Sequence, residues 1–190
     1  METKAATTRL AILERAVDIA SVEGLEGLTI GRLAGELEMS KSGLFAHFGS
    51  KEELQLAAVE FAAQRFFGEV IAPAQAEPEG FARLSAYCES YLEYLARGVF
   101  RGGCFWAAAG VEFDDRPGPV REKVREGVSA WLGELERQAD LAGVEDPAGM
   151  AFEIYSLTMG ANACARLLDS ERALSLARAG IERRLAAVRA

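Results

Sequence analysis

Residues 28–54 read LTIGRLAGELEMSKSGLFAHFGSKEEL. Thr29 is placed to cap a short helix reaching about Leu37, and Ser40 to cap a second reaching about His47, because an N-cap hydroxyl accepts from the free amides of the first turn. Ile30, Leu33, Ala34 and Leu37 fall on one face of the first helix. Leu44 and Phe48 do so on the second. Ala34 is small where two helices must cross closely. Two short helices joined by a turn of about three or four residues are the pattern of a helix-turn-helix, whose second helix can enter the major groove of DNA. Ser50 followed by Glu53 is a capping box, S-x-x-E, and predicts a long helix to about Val70.

On the outward side of the second helix lie Ser40, Lys41, Ser42, Phe45 and His47, short or basic groups able to reach phosphates and base edges. Gly43 among them supplies no side chain for readout, but the exposed amides of the helix N-terminus favour a phosphate. Arg32 and Lys51 are further candidates for DNA contact. Each candidate has a plainer alternative: a solvated surface charge for Lys41 and Lys51, a helix cap for Thr29, and a packed, hydrogen-bonded ring for His47.

Outside this stretch, apolar residues recur at helical spacing and no segment alternates with period two, so the expected fold is all-α. A first helix spans about Thr7 to Val22, with a stripe of Leu10, Leu13, Val17 and Ala20 widened by Ile12, Ala16 and Ile19, and Gly24 stops it. Pro73 and Pro78 make Ile71 to Gly80 a loop. Helices are expected at about Phe81–Arg97, Gly103–Phe113, Pro119–Leu141, Asp146–Leu168 and from Asp169 or Ser170 to Val188.

The 190 residues are 50% hydrophobic and 26% charged, which supplies a sizeable core and excludes disordered and collagen-like classes. No stretch approaches the ~20 apolar residues of a membrane span. Met1 to Leu10 lacks the apolar core of a secretory signal, so a cytoplasmic protein is expected. Net charge is −8, which argues against polyanion binding over the whole surface. Through Lys51 there are six basic and seven acidic residues, so any nucleic-acid contact is local. Cys88, Cys104 and Cys164 are far apart and the only histidine is His47. That combination supports neither a zinc site nor a thiol enzyme with a histidine base, and no phosphate-binding glycine loop is present. No catalytic residue, metal or cofactor is expected.

The segment resembles the DNA-binding domain of the TetR family of bacterial transcriptional regulators. The likeness lies in Thr29, Leu33-Ala34, Ser40-Lys41, Leu44-Phe45-Ala46-His47-Phe48 and Ser50-Lys51-Glu52-Glu53-Leu54. It departs from the family pattern at Glu38, where glycine is usual in the turn, and at Phe45, where a tyrosine hydroxyl is lost. The resemblance implies a helix-turn-helix DNA-binding domain over 1–50, followed by a larger helical ligand-binding and dimerisation domain over 51–190. It further implies a double-stranded DNA operator and a small-molecule effector, expected to be mainly apolar or aromatic.

Phe105, Trp106, Phe113, Tyr155 and Asn162 are the candidate effector contacts, with a filled core as the plainer alternative. Glu112 and Asn162 are the polar groups that need partners if enclosed. In the last two helices, Ala148, Ala151, Ile154, Tyr155, Thr158, Ala161, Asn162 and Ala165, with Leu174, Leu176, Ile181, Leu185 and Val188, suit either an internal bundle or a four-helix interface between two subunits. The resemblance favours the homodimer. The expected function is that of a ligand-responsive regulator, a repressor binding a palindromic operator as a dimer and released by a small molecule. The alternative is a helical ligand-binding or scaffold protein that no longer reads DNA.

Overall fold

The computed structural model describes residues 4–188; Met1 to Thr3 and the last two residues, included in the sequence ranges 1–50 and 51–190, lie outside the described residues. Among the described residues all regular structure is helical: α1 (Lys4–Gly27), α2 (Ile30–Glu36), α3 (Lys41–Phe48), α4 (Lys51–Phe66), α5 (Ala72–Ala74), α6 (Phe81–Ala96), α7 (Phe105–Phe113), α8 (Pro119–Leu141), α9 (Pro147–Leu167) and α10 (Ala173–Ala186). Two compact units result. The first takes in the chain up to Gln64 together with Phe100–Glu126, and the second takes in Arg65–Val99 and the chain from Gly127 onward.

In the first unit, α1 buries Ile12, Ala16, Val17, Ile19 and Ala20. Leu10, expected in that stripe, is largely exposed, so the buried face centres on Ile12, Ala16 and Ile19. Gly24 interrupts the helix with φ 79°, and the chain continues through one further turn to Gly27. Leu25, Leu28, Leu33, Leu44, Phe48 and Leu54 are also buried, each worth ~1.5–3 kcal/mol relative to exposure. From the C-terminal side of the sequence, α7 packs against α1.

In the second unit, α6 packs against α9 and α10, and α9 lies along α10. Phe66 presents an edge to Tyr91, Tyr94 and Trp131 at centroid distances of 5.6, 5.8 and 5.2 Å, and Tyr91 stacks on Trp131 at 5.9 Å. Beside this aromatic nest, Tyr87 donates to Glu134 at 2.9 Å, Gln138 donates to the same oxygen at 2.9 Å, and Gln138 Oε1 receives the Gly80 amide at 2.7 Å. Burial, then the bond to Glu134, pushes the Tyr87 hydroxyl up to about 12.

Two expected boundaries move. Helical structure continues past Phe66 through a π-helical turn, Phe67–Ile71, into α5, which contains Pro73. The wider i→i+5 turn, in which Ala72 donates to Phe67, admits a proline that a regular helix interior would exclude. At the other boundary, Asp169 stands at φ 49° beyond the end of α9. It therefore does not cap the last helix, which begins at Ala173 without a side-chain cap.

Candidate nucleic-acid interface

Thr29 Oγ1 accepts from the Arg32 amide at 3.1 Å and opens α2. The helix closes in a Schellman arrangement: Met39 N–H donates to Ala34 O at 3.0 Å and Glu38 N–H to Gly35 O at 3.5 Å. Glu38 holds the left-handed position at φ 53°, a conformation in which glycine would avoid the steric cost. The departure from the family pattern thus keeps the turn and strains it. Ser40 Oγ then accepts from the Gly43 amide at 3.1 Å and starts α3.

Leu44 and Phe48 anchor α3 inward, while Ser40, Lys41, Ser42 and Phe45 are exposed, Phe45 at 53%. His47 and Gly43 are half-buried. The Lys41 stem passes over α2 at Gly31, where an added Cβ would sit 3.4 Å from Lys41 Cε. At the far end of α3, Arg9 of α1 donates to the His47 carbonyl at 2.6 Å and lays its guanidinium 4.4 Å over the Phe48 ring. That pair of contacts satisfies a carbonyl at the helix end and brings positive charge to the negative end of its dipole. Ser50 Oγ accepts from the Glu53 amide at 3.0 Å. The Ser50 amide turns instead to Phe48 O at 2.8 Å, so that half of the capping box is replaced by a backbone bond.

Two of the candidate cations are engaged by carboxylates. Arg32 pairs with Glu23 at 2.7 Å and with Glu36, and Lys51 donates to Glu26 at 2.9 Å. Glu36 also receives Arg15. Hydrogen bonds from Arg15 and then Arg32 hold the Glu36 carboxyl down to about 2, and Arg32 holds Glu23 below the usual carboxylate range.

The expected effector contacts do not all share one unit. Phe105, Trp106 and Phe113 belong to the first, and Tyr155 and Asn162 to the second. Phe105 and Trp106 are buried edge to face at 5.8 Å, and Arg116 lies 5.8 Å over the Phe113 ring. Tyr155 and Asn162 are half-buried on α9. Glu112 has its partners in the backbone: it accepts from Leu25 N–H at 2.6 Å and Glu26 N–H at 2.9 Å. Arg9 gave no signal in the sequence, and Glu112 stood out only as a polar group needing a partner if enclosed, since their partners lie 38 and more than 80 residues away.

The α9 and α10 residues expected at a subunit interface pack within the chain instead. Ala151, Ile154, Thr158 and Ala161 of α9 and Ala177, Ile181 and Leu185 of α10 are buried within the chain itself, Ala161 at 5% and Leu185 at 7% exposure. Two adjacent helices that bury small residues against each other leave their other sides open. On that open side, Phe152, Ser156, Gly160, Ala163, Cys164 and Leu167 form an exposed stripe, with Leu167 at 82%. A groove of about 610 Å³ runs beside Phe152, Ser156, Leu157, Gly180 and Arg183.

An all-helical chain with a capped α2–turn–α3 pair is a helix-turn-helix protein. Residues 12–58 match the family described as "Bacterial regulatory proteins, tetR family", and residues 80–181 match "Tetracyclin repressor-like, C-terminal domain". The chain belongs to the TetR family of transcriptional regulators, whose members are regulators rather than enzymes. No curated protein matches it. Among solved structures, a TetR transcriptional regulator from Chloroflexus aurantiacus is 24% identical, with 94% of this chain and 93% of that chain covered and a TM-score of 0.84. A TetR-family transcriptional regulator from Streptomyces coelicolor is 23% identical, with 99% and 97% covered and a TM-score of 0.82. AibR, crystallised with isovaleryl coenzyme A and operator DNA, is 23% identical over 80% of this chain and 83% of that one, with a TM-score of 0.68. Among the described residues, no helix is long and apolar enough to cross a membrane.

Proposed function

We propose that the protein is a ligand-responsive repressor that binds a palindromic operator as a homodimer and leaves it when a small molecule binds. In this reading residues 1–50 hold the DNA-binding function and 51–190 the regulatory one, and the protein works in the cytoplasm. The observation that carries the proposal is the exposed face of α3, where Lys41, Ser42 and Phe45 project from a helix whose opposite face is anchored by Leu44 and Phe48. Lys41, Lys51, Thr29, Ser40 and the amides around Gly43 supply phosphate contacts. Ser42, Phe45 and His47 face the bases or their flanking backbone, and Arg32 joins them only by leaving Glu23 and Glu36.

A second copy of the chain on the exposed stripe of α9 gives the twofold axis that a palindrome requires. The effector role of Phe105, Trp106 and Phe113 in the first unit, and of Tyr155 and Asn162 in the second, is part of the same proposal, with a mainly apolar or aromatic effector; the relative crystallised with isovaleryl coenzyme A and operator DNA supports a small-molecule effector as such. A ligand of this kind releases DNA only by binding the DNA-free arrangement more tightly. A second reading, a scaffold that no longer reads DNA, draws on the pairing of Arg32 and Lys51 with carboxylates. Selection of duplexes from a random-sequence library by the purified full chain tests the proposal. Enrichment of inverted-repeat sequences is expected; enrichment of none contradicts DNA reading and leaves the scaffold.

A further inference from the structure

The turn after Gly24 is a junction of three helices of the first unit. Gly24 has φ 79°, and a Cβ there would lie 2.7 Å from Glu112 Oε1, so a side chain is strained by conformation and would push the Glu112 carboxylate aside. The two amides that follow it, of Leu25 and Glu26, both donate to the Glu112 carboxylate, at 2.6 and 2.9 Å. The Leu25 carbonyl accepts from Gln55 Nε2 of α4 at 2.7 Å and from the Leu28 amide at 3.1 Å. The Glu26 side chain takes Lys51 at 2.9 Å and Gln55 at 3.2 Å. From this turn the chain reaches Thr29 and α2 within three residues.

A second contact fixes α7 to the same end of α1. The Gly102 amide, just ahead of α7, donates to Ser21 Oγ at 2.9 Å, and Arg101 donates to Asp18 through its amide at 3.2 Å and its Nε at 2.5 Å. The approach is so close that a Cβ on Gly102 would fall 1.7 Å from Ser21 O. The segment ahead of α7 is thus docked on α1, and near the other end of α7 the Glu112 carboxylate holds the two amides that follow Gly24.

We infer that Glu112, outside the helix-turn-helix, is a positioning residue for DNA recognition: its charge-assisted bonds to Leu25 and Glu26 set the origin of α2 and the station of Lys51, and with them the register of α3 on the bases. This rests on the reading of α2–α3 as a DNA reader. A carboxylate receiving two successive amides is stronger and more directional than a neutral acceptor. Base-edge bonds demand close placement of the reading helix, whereas phosphate attraction tolerates small shifts and carries no sequence information. Loosening the junction accordingly costs sequence-specific binding first.

The test uses the full chain and two probes: a duplex selected by the wild-type protein from a random-sequence library, and a scrambled duplex of equal length and composition. Glu112→Gln keeps the side-chain shape and one carbonyl oxygen but presents an NH₂ group to the second amide. It is expected to lose about tenfold in affinity for the selected duplex, within the range seen for residues that act through packed networks, with no change on the scrambled one. Glu112→Ala is expected to lose more, with the folded state checked by circular dichroism. Equal losses on both probes, as a smaller folded fraction would give, overturn the inference, and so does an undiminished affinity for the selected duplex. If Glu112→Ala does not fold, the Gln variant decides; if that too is unfolded, Glu112 is a folding element and the inference fails. A wild-type chain that enriches no duplex overturns the DNA reading itself, a result distinct from any of these.

Discussion

Lys51 Nζ donates to Glu26 Oε2 at 2.9 Å on the exposed edge of the helix-turn-helix. A phosphate that engages Lys51 must share it with a carboxylate or displace that carboxylate, and Glu26 retains Arg116 at 3.7 Å as another cation. Exposed pairs of this kind are worth ~0.2–1 kcal/mol. Glu26→Gln is therefore expected to tighten duplex binding by about two- to fivefold at low salt, the gain fading as salt rises. Fluorescence anisotropy across a salt series checks this, and unchanged binding by the variant would place Lys51 away from the phosphates.

Acid stability follows from Glu36. Its folded-state carboxyl is held at about 2 by Arg15 and then Arg32, against an ordinary value of 4.5. A depressed carboxyl stabilises the fold above its unfolded value and loses that contribution as pH falls through the window from 4.5 to about 2. Glu36→Gln is expected to flatten the fall of Tm across that window and to lower Tm near neutrality. Because the pair is solvent-accessible the difference should shrink in high salt, and an unchanged acid limb would show that the pairing does not persist in solution.

Gly102 and Gly110 make a contrasting pair. A methyl group on Gly102 meets the Ser21 carbonyl, whereas one on Gly110, within α7, meets nothing within 4 Å. Gly102→Ala is expected to lower Tm by forcing the segment before α7 off α1. Gly110→Ala is expected to leave Tm unchanged or raise it, since alanine is favoured over glycine in a helix by up to ~1 kcal/mol. Thermal unfolding of the two variants decides it; a Tm reduced as much by Gly110→Ala would mean that the exposed side of α7 is covered in solution.

On the α9 and α10 face, Leu167→Glu and Leu185→Glu separate association from folding. Leu167 is exposed in the single chain and Leu185 is buried in it. The first substitution is expected to give a folded monomer. The second is expected to destabilise the chain itself by several kcal/mol, as burying an unpaired carboxylate does. Sedimentation with circular dichroism reads both, and a dimeric Leu167→Glu protein would move the interface elsewhere.

Local signals in the sequence translated well into structure. Thr29, Ser40 and Asp146 cap the helices they precede, because capping needs only a hydroxyl or carboxyl beside its own first turn. Glu38 occupies the left-handed turn position that the spacing of the two helices requires. Features that depend on distant partners were not legible: nothing near Glu112 announces a bond to amides 86 and 87 residues earlier. Helical periodicity likewise could not say which of two apolar sides of α9 faces its own chain, since both sides carry apolar residues at helical spacing and only packing buries Ala161 while leaving the larger Leu167 exposed.

Contact of DNA with the outward side of α3 and the start of α4 shows in the salt dependence of binding to a library-selected duplex, measured for the wild type and for the Lys41→Ala/Lys51→Ala double variant. If both lysines touch phosphate, the double variant binds more weakly and its slope of log affinity against log salt is shallower by about two, roughly one for each lost contact. A double variant with unchanged affinity and unchanged slope would mean that neither lysine touches DNA.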